Sequence, residues 1–117
     1  MEIAARNEVL LVGRMATEAR AVELPSGDQL TSFRLVVDRS TSKRPAREGV
    51  KVPTVDSLDC VAWTAGLQRT ARTWQPGDMV EVQGAVHRRF FRTAGGVQSR
   101  WEVEVSRAKR VSRAAAA

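Results

Sequence analysis

The chain has 117 residues, with 19 Lys and Arg against 13 Asp and Glu, a formal charge of +6 and a pI near 11.0, a balance that favours acidic partners. Its length suits one domain with a single core, and its 43% hydrophobic content argues for a folded globule. No apolar run nears the roughly 20 residues of a membrane span, residues 1–6 lack a secretory leader, and the lone Cys60 cannot form an internal disulfide, so the expected setting is cytoplasmic, with no membrane partner.

Residues 9–14 form a short apolar run expected to be a buried strand, with Gly13 marking a bend or bulge. Residues 19–24 alternate and end at Pro25-Ser26-Gly27-Asp28, a turn that joins them to residues 29–39 as a hairpin. In that second arm Phe33, Leu35 and Val37 share one side. Residues 40–53 lose the period and hold two prolines and four cations, the composition of a mobile basic loop. Residues 55–63 return to strand character, with Leu58, Cys60 and Ala62 on one face and Ser57, Asp59, Val61 and Trp63 on the other.

Helical spacing occurs at Leu67, Ala71 and Trp74, before Pro76-Gly77-Asp78 ends it. Residues 79–91 form a long strand that turns Val80, Val82 and Val86 inward and Glu81, Gln83, His87 and Arg89 outward. After the turn Thr93-Ala94-Gly95-Gly96, Trp101, Val103 and Val105 alternate with Glu102, Glu104 and Ser106 as the returning arm. Fraying is expected from Arg107 onward, with a folded unit over 1–111 and a short disordered tail over 112–117.

The segment Arg88-Arg89-Phe90-Phe91-Arg92, at the far end of the long strand, interleaves cations with bare rings. Guanidinium groups neutralise phosphates and rings stack on unpaired bases, so the expected ligand is single-stranded nucleic acid. Period-two geometry turns Trp63 and Phe91 outward as base platforms; Phe90, on the opposite face, either stacks or extends the core. Phe33 and Trp74 are expected in the core, and Trp101 inward beside Val103 and Val105. Candidate phosphate contacts are Arg14, Arg34, Arg39, Lys43, Arg44, Arg47, Arg88, Arg89, Arg92 and Arg100.

Catalytic chemistry finds no support. His87 has no second ligand at metal spacing, no phosphate-cradling glycine loop follows a strand, and Asp56 and Asp59 fall on opposite faces. The expectation is a protein that is not an enzyme and takes no cofactor or metal.

Three strands, one helix and two strands in about a hundred residues is the order of an all-β, five-stranded Greek-key barrel of the OB type, its helix lying between the third and fourth strands. Asn7-Glu8-Val9-Leu10-Leu11-Val12-Gly13-Arg14, Leu24-Pro25-Ser26-Gly27, Leu58-Asp59-Cys60-Val61-Ala62-Trp63 and the run from Pro76 to Gly84 resemble, in one register over 7–111, the bacterial single-stranded DNA-binding proteins. That resemblance implies an OB-fold that assembles as a homotetramer and wraps single-stranded DNA with little sequence preference, serving replication, recombination or repair; a dimer fits the sequence equally well. It also implies that Trp63 and Phe91 are stacking positions. Two positions where that family often has an aromatic are Thr41 and Ser57 here; where the family carries an acidic, Phe-ended C-terminal tip, this sequence ends in Arg113 and alanines, as expected either of a shortened sequence or of a short paralogue. The competing class is an OB-fold interaction module or accessory subunit with weak nucleic-acid binding. Stacking and phosphate contact do not separate DNA from RNA.

Overall fold

The computed structural model describes residues 3–39, 48–49 and 51–115. The elements among them are β1 (Val9–Met15), β2 (Arg20–Glu23), β3 (Gln29–Asp38), β4 (Val55–Ala62), α1 (Ala65–Arg72), β5 (Met79–Thr93) and β6 (Gly96–Ser112). The expected all-β barrel is present. The sheet runs β1-β5-β6-β4-β3 and closes on itself where Arg14 and Met15 of β1 pair with Val36 and Leu35 of β3. All of these pairings are antiparallel except β4 with β6, which meet in parallel at Cys60 opposite Val103 and Val61 opposite Glu104. β1 and β2 run against opposite ends of β3 and together take the place of one bent strand.

The alternating faces read from the sequence supply the core. Phe33 and Leu35 of β3, Cys60 of β4, Val80 and Val82 of β5, and Val103 and Val105 of β6 are buried together. Trp74, just past the helix, closes the barrel with its ring edge-on to Phe33, centroids 5.4 Å apart and planes at 87°. Burial raises the Cys60 thiol to about 12, helped by the negative charges of Asp59 and Glu102, so at neutral pH it is a protonated packing group and no nucleophile.

The helix starts at Thr64, whose hydroxyl oxygen accepts from the Leu67 amide at 3.3 Å. Gln68 then ties it to the barrel: its carboxamide accepts from the Thr31 hydroxyl and donates to the carbonyls of Gln29 and Trp63. The carbonyl of Trp63 is therefore tied through Gln68 to β3.

Gly13 plays a different part from the bend or bulge expected of it. Pairing of β1 with β5 passes through it without a register shift, and a Cβ there would lie 2.7 Å from the Val36 carbonyl oxygen. It marks the close approach at which the barrel shuts. The irregularities lie on β6. Gln83 pairs with Arg107 and the next residue, Gly84, with Val105, leaving Ser106 as an extra residue whose hydroxyl donates to the Gln83 carbonyl at 3.1 Å. A Cβ on Gly84 would fall on the Glu104 carbonyl oxygen.

That bulge corrects the reading of the C-terminal segment. The period-two pattern breaks at Ser106 because one residue is looped out, not because the strand ends; beyond it Ala108 returns to the core side opposite Val82, and pairing continues to Ser112. Asp78, expected only as part of a helix stop, secures the end. Its buried carboxylate accepts from the Gln75 amide at 2.8 Å and the Ala114 amide at 2.7 Å, with the Arg110 guanidinium 3.8 Å away. These two amides hold its carboxyl below the ordinary carboxylate range against the opposing effect of burial, and Arg110 and Arg113 add to the lowering.

A depressed folded-state value stabilises the fold above the unfolded carboxyl value, about 3.9, and the benefit disappears as pH falls through the folded value. Asp78→Asn is thus expected to unfold several degrees below the parent at pH 7, with the gap narrowing in acid; a constant gap across thermal scans at both pH values refutes the assignment. Gly84→Ala should cost about 1–3 kcal/mol in denaturant unfolding, since the bulge has no room for a methyl group.

Candidate nucleic-acid interface

The outer face of β2, β3 and β4 faces the hairpin made by β5 and β6 across a trough. Two adjoining hollows of about 190 and 260 Å³ share Arg20, Ser32, Asp59 and Arg100, so they form one continuous depression. Arg34 lines one end, and Arg89 and the buried edge of Glu102 line the other. Alternation explains the composition: Ser32 and Arg34 point away from the core that holds Phe33 and Leu35, and Asp59 and Val61 point away from Cys60.

Phe91 lies on this side of the hairpin, in register with Arg89. The guanidinium carbons of Arg89 and Arg100 sit 5.6 and 5.8 Å from its ring centroid, so a half-buried ring is set between two cations. Trp63 follows β4 on the face of Asp59 and Val61, and 38% of it is exposed. Both aromatic candidates thus retain the outward direction expected of them.

The two alternatives open for Phe90 resolve against the core, since it is 64% exposed. The expected inward position of Trp101 is corrected as well: it is 61% exposed and stands opposite Arg88. The alternation itself holds, because Trp101 does share a face with Val103 and Val105. The barrel, however, ends near Val86 and Val103, and the hairpin runs past it with nothing among the described residues behind that face to bury against.

The cationic candidates divide by partner. Arg14 pairs with Asp38 at 3.3 Å, Arg34 with Asp59 at 3.0 Å, Arg39 with Asp56 at 2.8 Å and Arg89 with Glu102 at 3.2 Å. The Arg39 pair raises its guanidinium and lowers the Asp56 carboxyl, through the hydrogen bond between them. Arg88 is held by the Ser99 hydroxyl. Among the described residues, Arg92 and Arg100 have no carboxylate partner. Lys43, Arg44 and Arg47, with Thr41, lie outside the described residues.

The trough gathers Arg34, Arg89 and Arg100, while Arg14 pairs across the β1–β3 seam and Arg39 sits past the end of β3. The sequence reading passed over Arg20. Its parity with Val22 on a short alternating strand was the available signal, and the tertiary pairing of β2 with β3 gives that parity its meaning. Asp59 and Glu102 were also missed as groove walls. Their acidity suggested nothing about a polyanion, yet they hold the arginines in place.

No grouping of His, Cys, Asp and Glu suited to a metal occurs among the described residues, and no described helix is long and apolar enough to cross a membrane. His87 is instead paired with Glu104 at 2.7 Å.

Comparison with known proteins agrees with the fold. Residues 6–111 match the model of the single-strand binding protein family. Single-stranded DNA-binding protein 2 of Listeria monocytogenes is 30% identical over 91 residues, covering 77% of this chain and 53% of that protein. Single-stranded DNA-binding protein A of Bacillus subtilis is 28% identical over 91 residues, covering 77% and 49%. The chain therefore matches about half the length of these curated relatives. Among solved structures, a Plasmodium falciparum SSB complex with ssDNA superposes with a TM-score of 0.68 at 20% identity, covering 96% of this chain and 98% of that one, which supports the barrel assignment. With the family model spanning nearly the whole described barrel, the chain belongs to the single-strand binding protein family.

Proposed function

We propose that this barrel binds single-stranded DNA with little sequence preference and without catalysis, and so shields unpaired strands in replication, recombination or repair. The carrying observation is Phe91, set between Arg89 and Arg100, the two arginines that the hairpin contributes to the lining of the trough. A ring offers a face to any base, and the flanking guanidinium groups offer charge to the phosphates on either side of it. Trp63 is the second platform, its backbone anchored by Gln68.

Arg34, Arg89, Arg92 and Arg100 are the proposed phosphate contacts of the trough and hairpin, with Arg20 added on its position in the lining. The ion pairs of Arg34 and Arg89 do not oppose this role. The Arg34–Asp59 pair is partly exposed and worth little, so a phosphate offers the Arg34 guanidinium group an equivalent partner. Arg89 stays with the buried Glu102 and offers a phosphate its remaining donors. Arg14 and Arg39 remain proposed contacts for a strand that continues beyond the trough.

Self-association fits the same reading. Leu10 and Val12 stand exposed on the outer face of β1 at 65% and 47%, and a homotetramer is the proposed assembly. Light scattering of the purified chain reports whether that is its mass.

Phe91→Ala should retain the parent's unfolding temperature and bind oligo-dT about 5- to 150-fold more weakly, the range expected for one lost stack. Unchanged affinity removes Phe91 from the interface. Trp63→Ala should lose part of the fluorescence quenching on titration. Log affinity of the parent should fall linearly with log salt, about 0.7 per phosphate neutralised; a slope near zero, or a gel shift no stronger than that of an unrelated basic protein, returns the barrel to the class of interaction modules.

A further inference from the structure

The hairpin has a second side that the trough does not use. Beyond the barrel its opposite face carries Arg88, Phe90 and Arg92 of β5 against Trp101, Ser99 and Val97 of β6. Phe90 and Trp101 keep 64% and 61% of their surface open. The Arg88 guanidinium carbon lies 5.2 Å from the Phe90 centroid and 5.4 Å from that of Trp101, so one cation covers two rings. Its Nε and Nη2 both donate to the Ser99 hydroxyl, at 3.1 and 2.9 Å. That tether is neutral. The side chain is thus fixed in place with no carboxylate partner among the described residues, unlike Arg89 on the other side, which faces Glu102.

We propose that this side is a second platform for the same ligand: an unpaired polynucleotide leaving the trough past Phe91 rounds the edge of the hairpin, stacks bases on Trp101 and Phe90, and places a phosphate at Arg88. The inference rests on the proposed function of the trough.

Charge selects the occupant. Residues 88–101 contain four arginines and no acidic residue, so a second copy presenting the same surface meets like charge, whereas a polyanion with flat faces satisfies both the cations and the rings. The route is open. β1 accompanies β5 no farther than Gly84, and β4 touches β6 only near Val103 and Glu104, so the hairpin projects as a two-stranded ribbon with both edges bare among the described residues. Its two sides lie only a sheet's thickness apart, less than the roughly 10 Å between stacked sheets.

Oligo-dT of two lengths tests this with the whole chain: one of about 8 nucleotides, within the site size of a single barrel, and one of roughly 30. Trp101→Ala should bind the short probe like the parent and the long probe about 5- to 150-fold more weakly, with Trp101→Phe restoring most of the loss. Arg88→Gln should lower the salt slope on the long probe by about 0.7. Should Trp101→Ala unfold early, Phe90→Ala on the long probe carries the same test.

The inference is overturned, and the trough reading stands, if Trp101→Ala and Phe90→Ala match the parent on the long probe while Phe91→Ala weakens both probes. If Phe91→Ala weakens neither, the trough reading has failed and this one with it. A lower mass of Trp101→Ala in light scattering, with unchanged affinity, makes the face a contact between copies and equally overturns the proposal.

Discussion

The long pairing of β5 with β6, from Met79 opposite Ser112 to Thr93 opposite Gly96 and broken only by single-residue bulges on β6, is the constraint on which the rest of the molecule depends. Its first half is barrel wall, where Val80, Val82, Val103 and Val105 bury the inner face. Its second half has no layer behind it among the described residues and is held by the backbone ladder and cross-strand side-chain contacts. The same two strands therefore change from a structural wall to a projecting arm. The trough exists because this arm stands opposite the outer face of β3 and β4, and the parallel contact of β4 with β6 sets where the two surfaces meet.

Much of this was legible because alternation has a fixed period. The opposed faces of β3, β4 and β5, the helix ending before Pro76, the core positions of Phe33 and Trp74 and the outward direction of Trp63 all follow from counting by two or by 3.6. What was not legible comes from two sources. A bulge adds a residue without changing the composition, so the segment after Ser106 resembled loose tail although it is paired strand. Parity also tells which residues share a face, but not whether anything covers that face. Trp101 lies in line with Val103 and is nonetheless exposed, because the barrel has ended beneath it.

The site was legible as a chemistry more than as a geometry. Cations beside rings pointed to the ligand class proposed for the trough, and the family resemblance pointed the same way. Which arginine faces which carboxylate depends on cross-strand register, such as Arg34 opposite Asp59, and register is a property of the folded sheet. The acidic residues lining the trough follow the same rule. Asp59 and Glu102 fall on the outer face by parity, but their proximity to Arg34 and Arg89 arises only when the strands are laid side by side.

That arrangement bears on how quickly a bound strand can be exchanged. Arg34, matched to the partly exposed Asp59, would give up one anion in taking another, so a departing phosphate is replaced from within the protein, whereas Arg89 keeps the buried Glu102 throughout. Segments of a polynucleotide can then lift off one contact at a time. On the proposed function, such a surface would hold a long strand through many small, individually reversible contacts.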